Sequence, residues 1–273
     1  MIFVKGYGQM CNNILQFAHL YVWGKMNGTN TIALRFCYKY RYFNICRKTG
    51  YNWFTYIIAK YAAKIRLIKT VSLLEDSDVN ERNLNILKTG RFVVAEGWML
   101  REYELLLKFR TEIKNLFLFK KSIEKKIDEF MSPITGSSEC INLGVHVRRG
   151  DYARWNNGDY FFHDDTYIAL ISKFQSLFFQ EKINVFISTN DQNFDLESYR
   201  RSLDPVRIYA FHGNPGEDLC LLSKCDYLIG PPSTFSLMAS FYNDIPLYWI
   251  KKENNTIEKD SFKYFDYLFR HII

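Results

Sequence analysis

The sequence predicts an α/β protein with parallel sheets, and three observations carry that expectation. From Cys140 onward, apolar runs of strand length alternate with segments of helical length. The amino terminus opens in the same way, with a short apolar run, a loop holding Gly6 and Gly8, and an amphipathic stretch. Polar and charged residues gather just beyond the apolar runs, at the strand ends where a parallel sheet collects its ligands. No repeat of solenoid length and no low-complexity tract interrupts the pattern.

Residues 2–5 read as the first strand. Ile14, Phe17, Ala18, Tyr21 and Val22 then follow at the i, i+3, i+4, i+7, i+8 spacing of a buried helical stripe. Asn12 and Asn13 stand where that helix begins, either as caps or with their amides directed at a substrate. Residues 32–36 read as the second strand, 51–67 and 101–130 are largely helical, and 92–95 is a short strand between them. Ser132-Pro133-Ile134-Thr135-Gly136-Ser137-Ser138 is the clearest linker, so the domain boundary is expected there. Residues 1–138 then make one lobe and 139–250 a second, with 251–273 a helical segment that packs back on the lobes. In the second lobe, strands at 140–147, 183–188, 206–211, 227–230 and 246–250 alternate with helices at 166–179, 196–202, 217–224 and 234–242. Alternation at these lengths implies a parallel sheet covered on both faces.

At 273 residues the chain has material for one large or two modest domains. Hydrophobic residues are 48% and charged residues 24%, as in an ordinary folded protein. Aromatic residues are frequent at 17%, which favours a protein that handles sugars, since carbohydrate sites use aromatic faces. The net charge of +7 suits nucleic acid, an anionic membrane surface or a charged small molecule. No arginine-rich arm or zinc-knuckle spacing supports the first, so no nucleic-acid partner is expected. Six cysteines without a CxxC pair read as small buried hydrophobes that demand neither an oxidising compartment nor zinc. The amino terminus lacks a signal peptide's charged start and long apolar run, and no stretch of about 18 apolar residues is available to cross a bilayer. The expected location is cytoplasmic, with at most peripheral contact on the inner membrane surface.

The most informative run is His146-Val147-Arg148-Arg149-Gly150-Asp151-Tyr152, directly after the buried run 140–145. Two arginines, a glycine and an aspartate at a strand's carboxyl end form an anion site, because a guanidinium fork matches phosphate oxygens. Strand alternation puts His146 and Arg148 on one face and Arg149 on the other. This run resembles the HxRRxD-type motif of the GDP-fucose-dependent fucosyltransferases, particularly the α-1,2-fucosyltransferase family. Two further segments fit that family in order. Residues 12–18 (NNILQFA) are similar to its Asn-Gln opening motif, and 218–240 (DLCLLSKCDYLIGPPSTFSLMAS) resemble its last motif. The chain departs from the family at Gln9-Met10-Cys11, which intervene after Gly8, and at Leu237-Met238, where the family usually carries tryptophans.

The resemblance implies a GT-B-type fold, with two Rossmann-like lobes and a central donor crevice. It implies inverting transfer of L-fucose from GDP-fucose to a hydroxyl, O2 of a galactoside being favoured, on an oligosaccharide or lipid-linked glycan acceptor. Donor contacts are then expected from His146, Arg148, Arg149, Asn190, Asp191, Asp226, Ser233, Thr234 and Ser236. Ser233 to Ser236 open a helix whose amides and hydroxyls cradle phosphate, and Asp226 pairs with guanine N1–H and its amino group. Arg148, Asp159 and Asn12 are the expected catalytic residues, with His163 and Asp164 as alternatives to Asp159 for activating the acceptor. Asp151 is expected to orient the arginines.

Two rivals accompany this reading. Asp76-Ser77-Asp78 is a DxD triplet that could hold Mn²⁺ or Mg²⁺ for a different nucleotide sugar, though such a triplet is more often a turn and cap. Arginine and helix-start amides already supply cationic stabilisation, so no metal and no cofactor beyond the donor is expected. The other rival is a non-catalytic nucleotide- or glycan-binding protein on the same scaffold.

Overall fold

The computed structural model describes residues 1–136, 140–251 and 256–272. The chain divides into two compact units, Met1–Lys120 and Lys121–Ile273. The first runs β1 (Ile2–Val4), α1 (Met10–Met26), β2 (Thr31–Ala33), α2 (Leu34–Tyr38), α3 (Trp53–Lys64), β3 (Lys69–Leu73), α4 (Glu81–Thr89), β4 (Val93–Gly97), α5 (Tyr103–Lys108) and α6 (Arg110–Leu116). Its four strands pair in parallel in the order β2-β1-β4-β3. Helix α1 buries far more than one stripe, from Met10 to Gly24, which makes it a central rather than a surface helix. The second strand is shorter than the expected 32–36, because the chain turns into α2 at Leu34. That turn drives Phe36 into an aromatic cluster, 5.1 Å from the Phe117 ring and 5.8 Å from Phe43.

The second unit begins one helix earlier than the linker at 132–138 suggested. Helix α7 (Lys121–Thr135) buries Ile123, Ile127 and Met131, an i, i+4, i+8 stripe, among the elements of this unit. Lys126 Nζ reaches Glu217 Oε2 at 2.9 Å, and Lys224 Nζ reaches Asp128 Oδ1 at 2.6 Å. Pro133 lies in the last turn of the helix, where a missing N–H removes one bond and the buried stripe outweighs it. The boundary therefore falls at Lys120 and Lys121, and residues 137–139 of the expected linker lie outside the described residues.

After α7 come β5 (Ile141–Val147), α8 (Asp164–Leu177), β6 (Ile183–Thr189), α9 (Leu196–Ser202), β7 (Arg207–Ala210), α10 (Pro215–Leu222), β8 (Tyr227–Gly230), α11 (Thr234–Asn243), β9 (Leu247–Trp249) and α12 (Phe265–Leu268). The five strands are parallel in the order β7-β6-β5-β8-β9. Strand order thus reverses between β5 and β8, the point at which an open α/β sheet leaves a crevice beyond its carboxyl edge. Strand β5 shows the alternation read from the sequence. Leu143, Val145 and Val147 belong to the core with Tyr167, Leu170, Ile171 and Phe174 of α8. Gly144 faces the other way, where a Cβ would come within 3.0 Å of Leu222 Cδ2 on α10. The carboxyl-terminal segment packs on its own unit, with Phe265 of α12 4.8 Å from the Phe241 ring of α11, and residues 252–255 and 273 lie outside the described residues.

Phe174 is fully buried at the centre of this core, 4.8 Å from the Phe178 ring, 5.3 Å from Tyr227 and 5.8 Å from Phe262. Phe174→Ala should cost about 3–5 kcal/mol, read as a lower denaturant midpoint of the second unit.

Candidate functional site

The carboxyl end of β5 sends its two arginines to opposite faces, with opposite fates. Arg149 is buried and fully engaged by the protein. Its guanidinium donates to the Phe162 carbonyl and to Asp164 Oδ1, and Nε lies 3.8 Å from Asp191 Oδ2. Its cation also stands over the rings of Phe161 and Tyr167, at 4.9 and 5.8 Å. Asp164 Oδ1 accepts a further bond from the Tyr199 hydroxyl at 2.7 Å, so carboxylate, phenol and guanidinium make one network. Burial, followed by the Asp164 charge, pushes the Tyr199 hydroxyl up and keeps it a donor. Arg149 is therefore a structural partner without the open geometry expected of a phosphate ligand, and Asp164 commits Oδ1 to it while its side chain stays about half exposed.

Asn190 and Asp191 turn toward the same network. Asn190 Oδ1 accepts the Arg149 backbone N–H at 2.7 Å, and its Nδ2 donates to the Arg149 carbonyl at 3.4 Å. Asp191 Oδ1 accepts the Asn193 N–H at 2.9 Å while its other oxygen faces Arg149. Both residues hold the turn that follows β5. Gly150 completes that turn at φ +61°, and a Cβ there would meet Asn190 Nδ2 at 3.0 Å. The side chain of Asp151 lies outside the described residues.

Arg148 sits on the other face, half-buried, with its guanidinium carbon 5.3 Å from the Tyr152 ring. His146 lies below it on the same face. Its ring is 4.8 Å from Phe235, and Nδ1 is 3.5 Å from Ser233 Oγ. Burial, reinforced by the Arg148 charge, pushes His146 down to about 3, so the imidazole is neutral. Helix α11 starts at this point because β8 delivers the chain to the carboxyl edge. Ser233 caps it, accepting the Ser236 N–H at 3.3 Å. Ser236 is turned inward, with Oγ donating to the Pro231 carbonyl at 3.0 Å. Thr234, the first helical residue, is half-buried. The positive end of the α11 dipole and the Arg148 guanidinium thus share the switch point between β5 and β8.

Two expected residues stand elsewhere. Asp226 precedes β8 and lies at the amino edge of the sheet, where its carboxylate accepts the Asn142 N–H at 2.8 Å and its own N–H donates to the Asn142 carbonyl. The role of guanine reader is corrected accordingly, because a residue that enters a parallel strand is a strand length away from the ligand edge. Asp159 is half-buried in the loop after β5, where it accepts a bond from Asn156 Nδ2 at 3.0 Å. Sequence reading passed over Asp218, in the first turn of α10 beyond β7. Burial pushes its carboxyl up to about 7, and Oδ1 is buried with no hydrogen-bond partner among the described residues. The sequence offers only an acid followed by an apolar helical run, and burial is what singles it out.

In the first unit, Asn12 lies in the first turn of α1, and a Cβ on Gly8 would come within 2.6 Å of its Nδ2. The neighbouring Asn13 organises the loop, donating to the carbonyls of Tyr7 at 3.0 Å and Gln9 at 2.5 Å. Farther along α1, Gln16 donates to the Gly97 carbonyl, and His19 Nδ1 accepts the Glu102 N–H at 2.9 Å. Burial, followed by the Arg101 charge, pushes His19 down to about 3. Asp76-Ser77-Asp78 forms a capping turn. Asp78 Oδ2 accepts from Ser72 Oγ at 2.7 Å and from the N–H groups of Leu74 and Glu75 at 2.9 and 3.1 Å. Among the described residues, no group of three or more His, Cys, Asp or Glu side chains could hold a metal ion.

Residues 92–263 match Glycosyl transferase family 11, a span of more than half the chain. The chain belongs to glycosyl transferase family 11. It is 28% identical over 146 residues to the mouse (Mus musculus) galactoside 2-alpha-L-fucosyltransferase Sec1, covering 48% of this chain and 37% of that protein. It is 25% identical over 142 residues to the pig (Sus scrofa) galactoside alpha-(1,2)-fucosyltransferase 2, covering 48% of this chain and 40% of that one. The matches thus span well under half the length of these curated relatives. Among solved structures, a mutant of Arabidopsis thaliana FUT1 in complex with GDP superposes with a TM-score of 0.64 at 11% identity, over 96% of this chain and 73% of the other. That likeness establishes the fold of the family 11 chain as α/β of the GT-B type.

The two arginines should separate cleanly in stability measurements. Arg149→Met removes the charge that holds Asp164 and Asp191 and should cost about 3–5 kcal/mol. Arg148→Lys should stay within about 0.5 kcal/mol of the parent, as a half-exposed residue outside the core. Asp218 gives a pH-dependent signature. An unfolded chain ionises this acid above its ordinary 3.8, whereas the folded chain does so only near 7. Asp218 therefore lowers stability progressively as pH rises from about 4 to about 7. Asp218→Asn should be more stable than the parent at pH 8 and nearly equal to it at pH 4, checked by denaturant unfolding at the two values.

Proposed function

We propose that the second unit binds the diphosphate of GDP-fucose at the β5–β8 switch point, and that the protein transfers L-fucose with inversion to an acceptor hydroxyl. The favoured acceptor is O2 of a galactoside in an oligosaccharide or lipid-linked glycan, in line with the two galactoside 2-fucosyltransferases among its relatives. One observation carries the reading. Arg148 at the end of β5 and the amino end of α11 after β8 meet where strand order reverses, on the same sheet edge. A FUT1 of the same fold was solved in complex with GDP, which supports a guanine nucleotide as the donor's carrier.

In the reaction, the acceptor oxygen bonds to C1 of fucose as the bond from C1 to the β-phosphate oxygen breaks. GDP departs with the electron pair, and Arg148 with the α11 amides neutralises that charge. Neutral His146 and the Ser233 hydroxyl leave the positive field of this edge undiluted by a carboxylate. The acceptor proton passes to a base, for which Asp159 on the loop after β5 is our candidate, with Asn12 as a positioning residue. Asp218 takes the role of guanine reader. Its unpartnered oxygen suits the paired N1–H and amino donors of guanine, and those donors favour the ionised carboxylate.

Thermal stabilisation by nucleoside diphosphates tests the base and the site together. GDP should stabilise the protein more than UDP or ADP, and Arg148→Lys should lose most of that effect because ammonium cannot reproduce the fork. Asp218→Asn should weaken GDP binding about tenfold or more while leaving UDP and ADP unchanged. Stabilisation by UDP in place of GDP would redirect the reading to another sugar donor, and no stabilisation by any of the three would favour a non-catalytic scaffold. Transfer should persist in excess EDTA, since the charge compensation comes from Arg148 and backbone amides. Loss of activity on chelation, restored by Mn²⁺, would move the assignment to the metal-dependent rival at Asp76 and Asp78.

A further inference from the structure

Helix α3 and the turn after it present an apolar surface that nothing in their unit covers. Trp53, Phe54, Ile58, Tyr61, Ile65 and Leu67 are between 52% and 76% exposed, within a span of fifteen residues. Phe54, Ile58, Tyr61 and Ile65 recur at i, i+4, i+7 and i+11, so they form one stripe along the helix. The opposite face is the one that holds α3 to the fold. Ala59 is buried there, and the Tyr56 ring lies 4.1 Å from Tyr38 of α2. A contiguous exposed apolar stripe of this kind marks an interaction surface rather than scatter.

Charge identifies the occupant. The first 74 residues contain eleven lysines and arginines and no aspartate or glutamate at all. The remaining 199 residues carry 25 basic and 29 acidic side chains, so the whole excess of positive charge belongs to this opening segment. Lys60, Lys64, Arg66 and Lys69 are exposed along α3 and beyond it, and among the described residues none of the four pairs with a carboxylate. Lys60 and Lys64 fall on one flank of the stripe together with Trp53. An apolar face bordered by lysine and by amphipathic Trp and Tyr rings suits the headgroup boundary of a bilayer. A second copy of this surface would set basic residues against basic residues, which disfavours symmetric self-association. Nucleic acid would leave the isoleucines and Leu67 without partners.

We propose that the segment Trp53 to Lys69 is a membrane-surface anchor, lying in the plane of a bilayer rich in anionic lipid. The stripe enters the acyl boundary while the lysines and Arg66 remain with the headgroup phosphates. At twelve residues the helix is about 18 Å long and rests on the membrane without crossing it. This proposal is independent of the donor and acceptor assigned above.

Co-sedimentation of the full chain with vesicles provides the test. The protein should bind phosphatidylcholine vesicles carrying about 30 mol% phosphatidylglycerol, and bind pure phosphatidylcholine at least about tenfold more weakly. Phe54→Ser with Ile58→Ser should abolish vesicle binding, because it removes the apolar anchor. Lys60→Glu with Lys64→Glu should abolish the preference for anionic lipid. Both pairs are surface positions, so unchanged circular dichroism and thermal unfolding verify that these variants fold. Absence of binding to the anionic vesicles, or equal binding by the folded serine variant, overturns the proposal. So does a dimer seen by sedimentation velocity that the serine variant dissolves, if the parent ignores vesicles, since the stripe would then be a self-association surface.

Discussion

A buried guanidinium organises the carboxyl edge of the sheet in the second unit. Arg149 leaves β5 on the core face, and a charge placed there is tolerable only if every donor finds a partner. The Phe162 carbonyl, Asp164 and Asp191 supply those partners from the loop after β5, from α8 and from the loop after β6. Asn190 closes the arrangement by binding the Arg149 backbone through both ends of its amide. Three separate segments are thereby tied to one residue. Because side chains alternate, fixing Arg149 on one face fixes Arg148 on the other. The adjacent arginines are therefore not redundant: one is the fastening, and the other is what it presents.

The electrostatics of the presented edge follow from burial. His146 occupies the face shared with Arg148 and α11, and desolvation keeps its ring neutral. The local field is then set by one guanidinium and by the amino end of a helix, both positive and both matched to an anion. Asp218 shows the reverse arrangement. Burial makes this acid costly to ionise, and under the proposed reading a ligand that brings paired donors would offset that cost. Residues of this sort break the rule that buried polar atoms are partnered, and such exceptions concentrate where ligands bind.

Much of this was legible in the sequence, and the limits have physical reasons. The apolar run before His146 and the alternation through Arg149 were sufficient to place both arginines correctly relative to the sheet. The alternating elements after Cys140 gave the five strands, because buried parallel strands read as nearly continuous apolar runs. Strand β3 was hard to read since it lies at the edge of its sheet, where Lys69 and Thr70 face solvent. The boundary was displaced because serine and Pro133 signal a loop locally, whereas the Ile123–Ile127–Met131 stripe decides at the level of packing. Likeness of motif points to Asp226, whereas its position before β8 puts it at the amino end of a parallel strand. Asp218 left little trace, since a sequence does not reveal which of two neighbouring acids, Glu217 or Asp218, lacks partners.

Two positive regions in this protein differ in how water reaches them, and that difference separates their physics. Arg148 is half-buried beside a neutral histidine and a helix start, so its interaction with the proposed diphosphate would be short-ranged and partly shielded from mobile ions. The lysines along α3 are surrounded by water, and their attraction to an anionic surface acts through a screened medium with a Debye length of about 8 Å at physiological salt. The sequence-wide charge of +7 conceals this division, because it sums a localised anion site with a diffuse basic face. Raising ionic strength should accordingly weaken attachment through α3 well before it weakens nucleotide binding at β5. Under the proposed anchoring, the apolar stripe supplies what salt cannot remove, and a surface that joins the two would select membranes rather than anions in general.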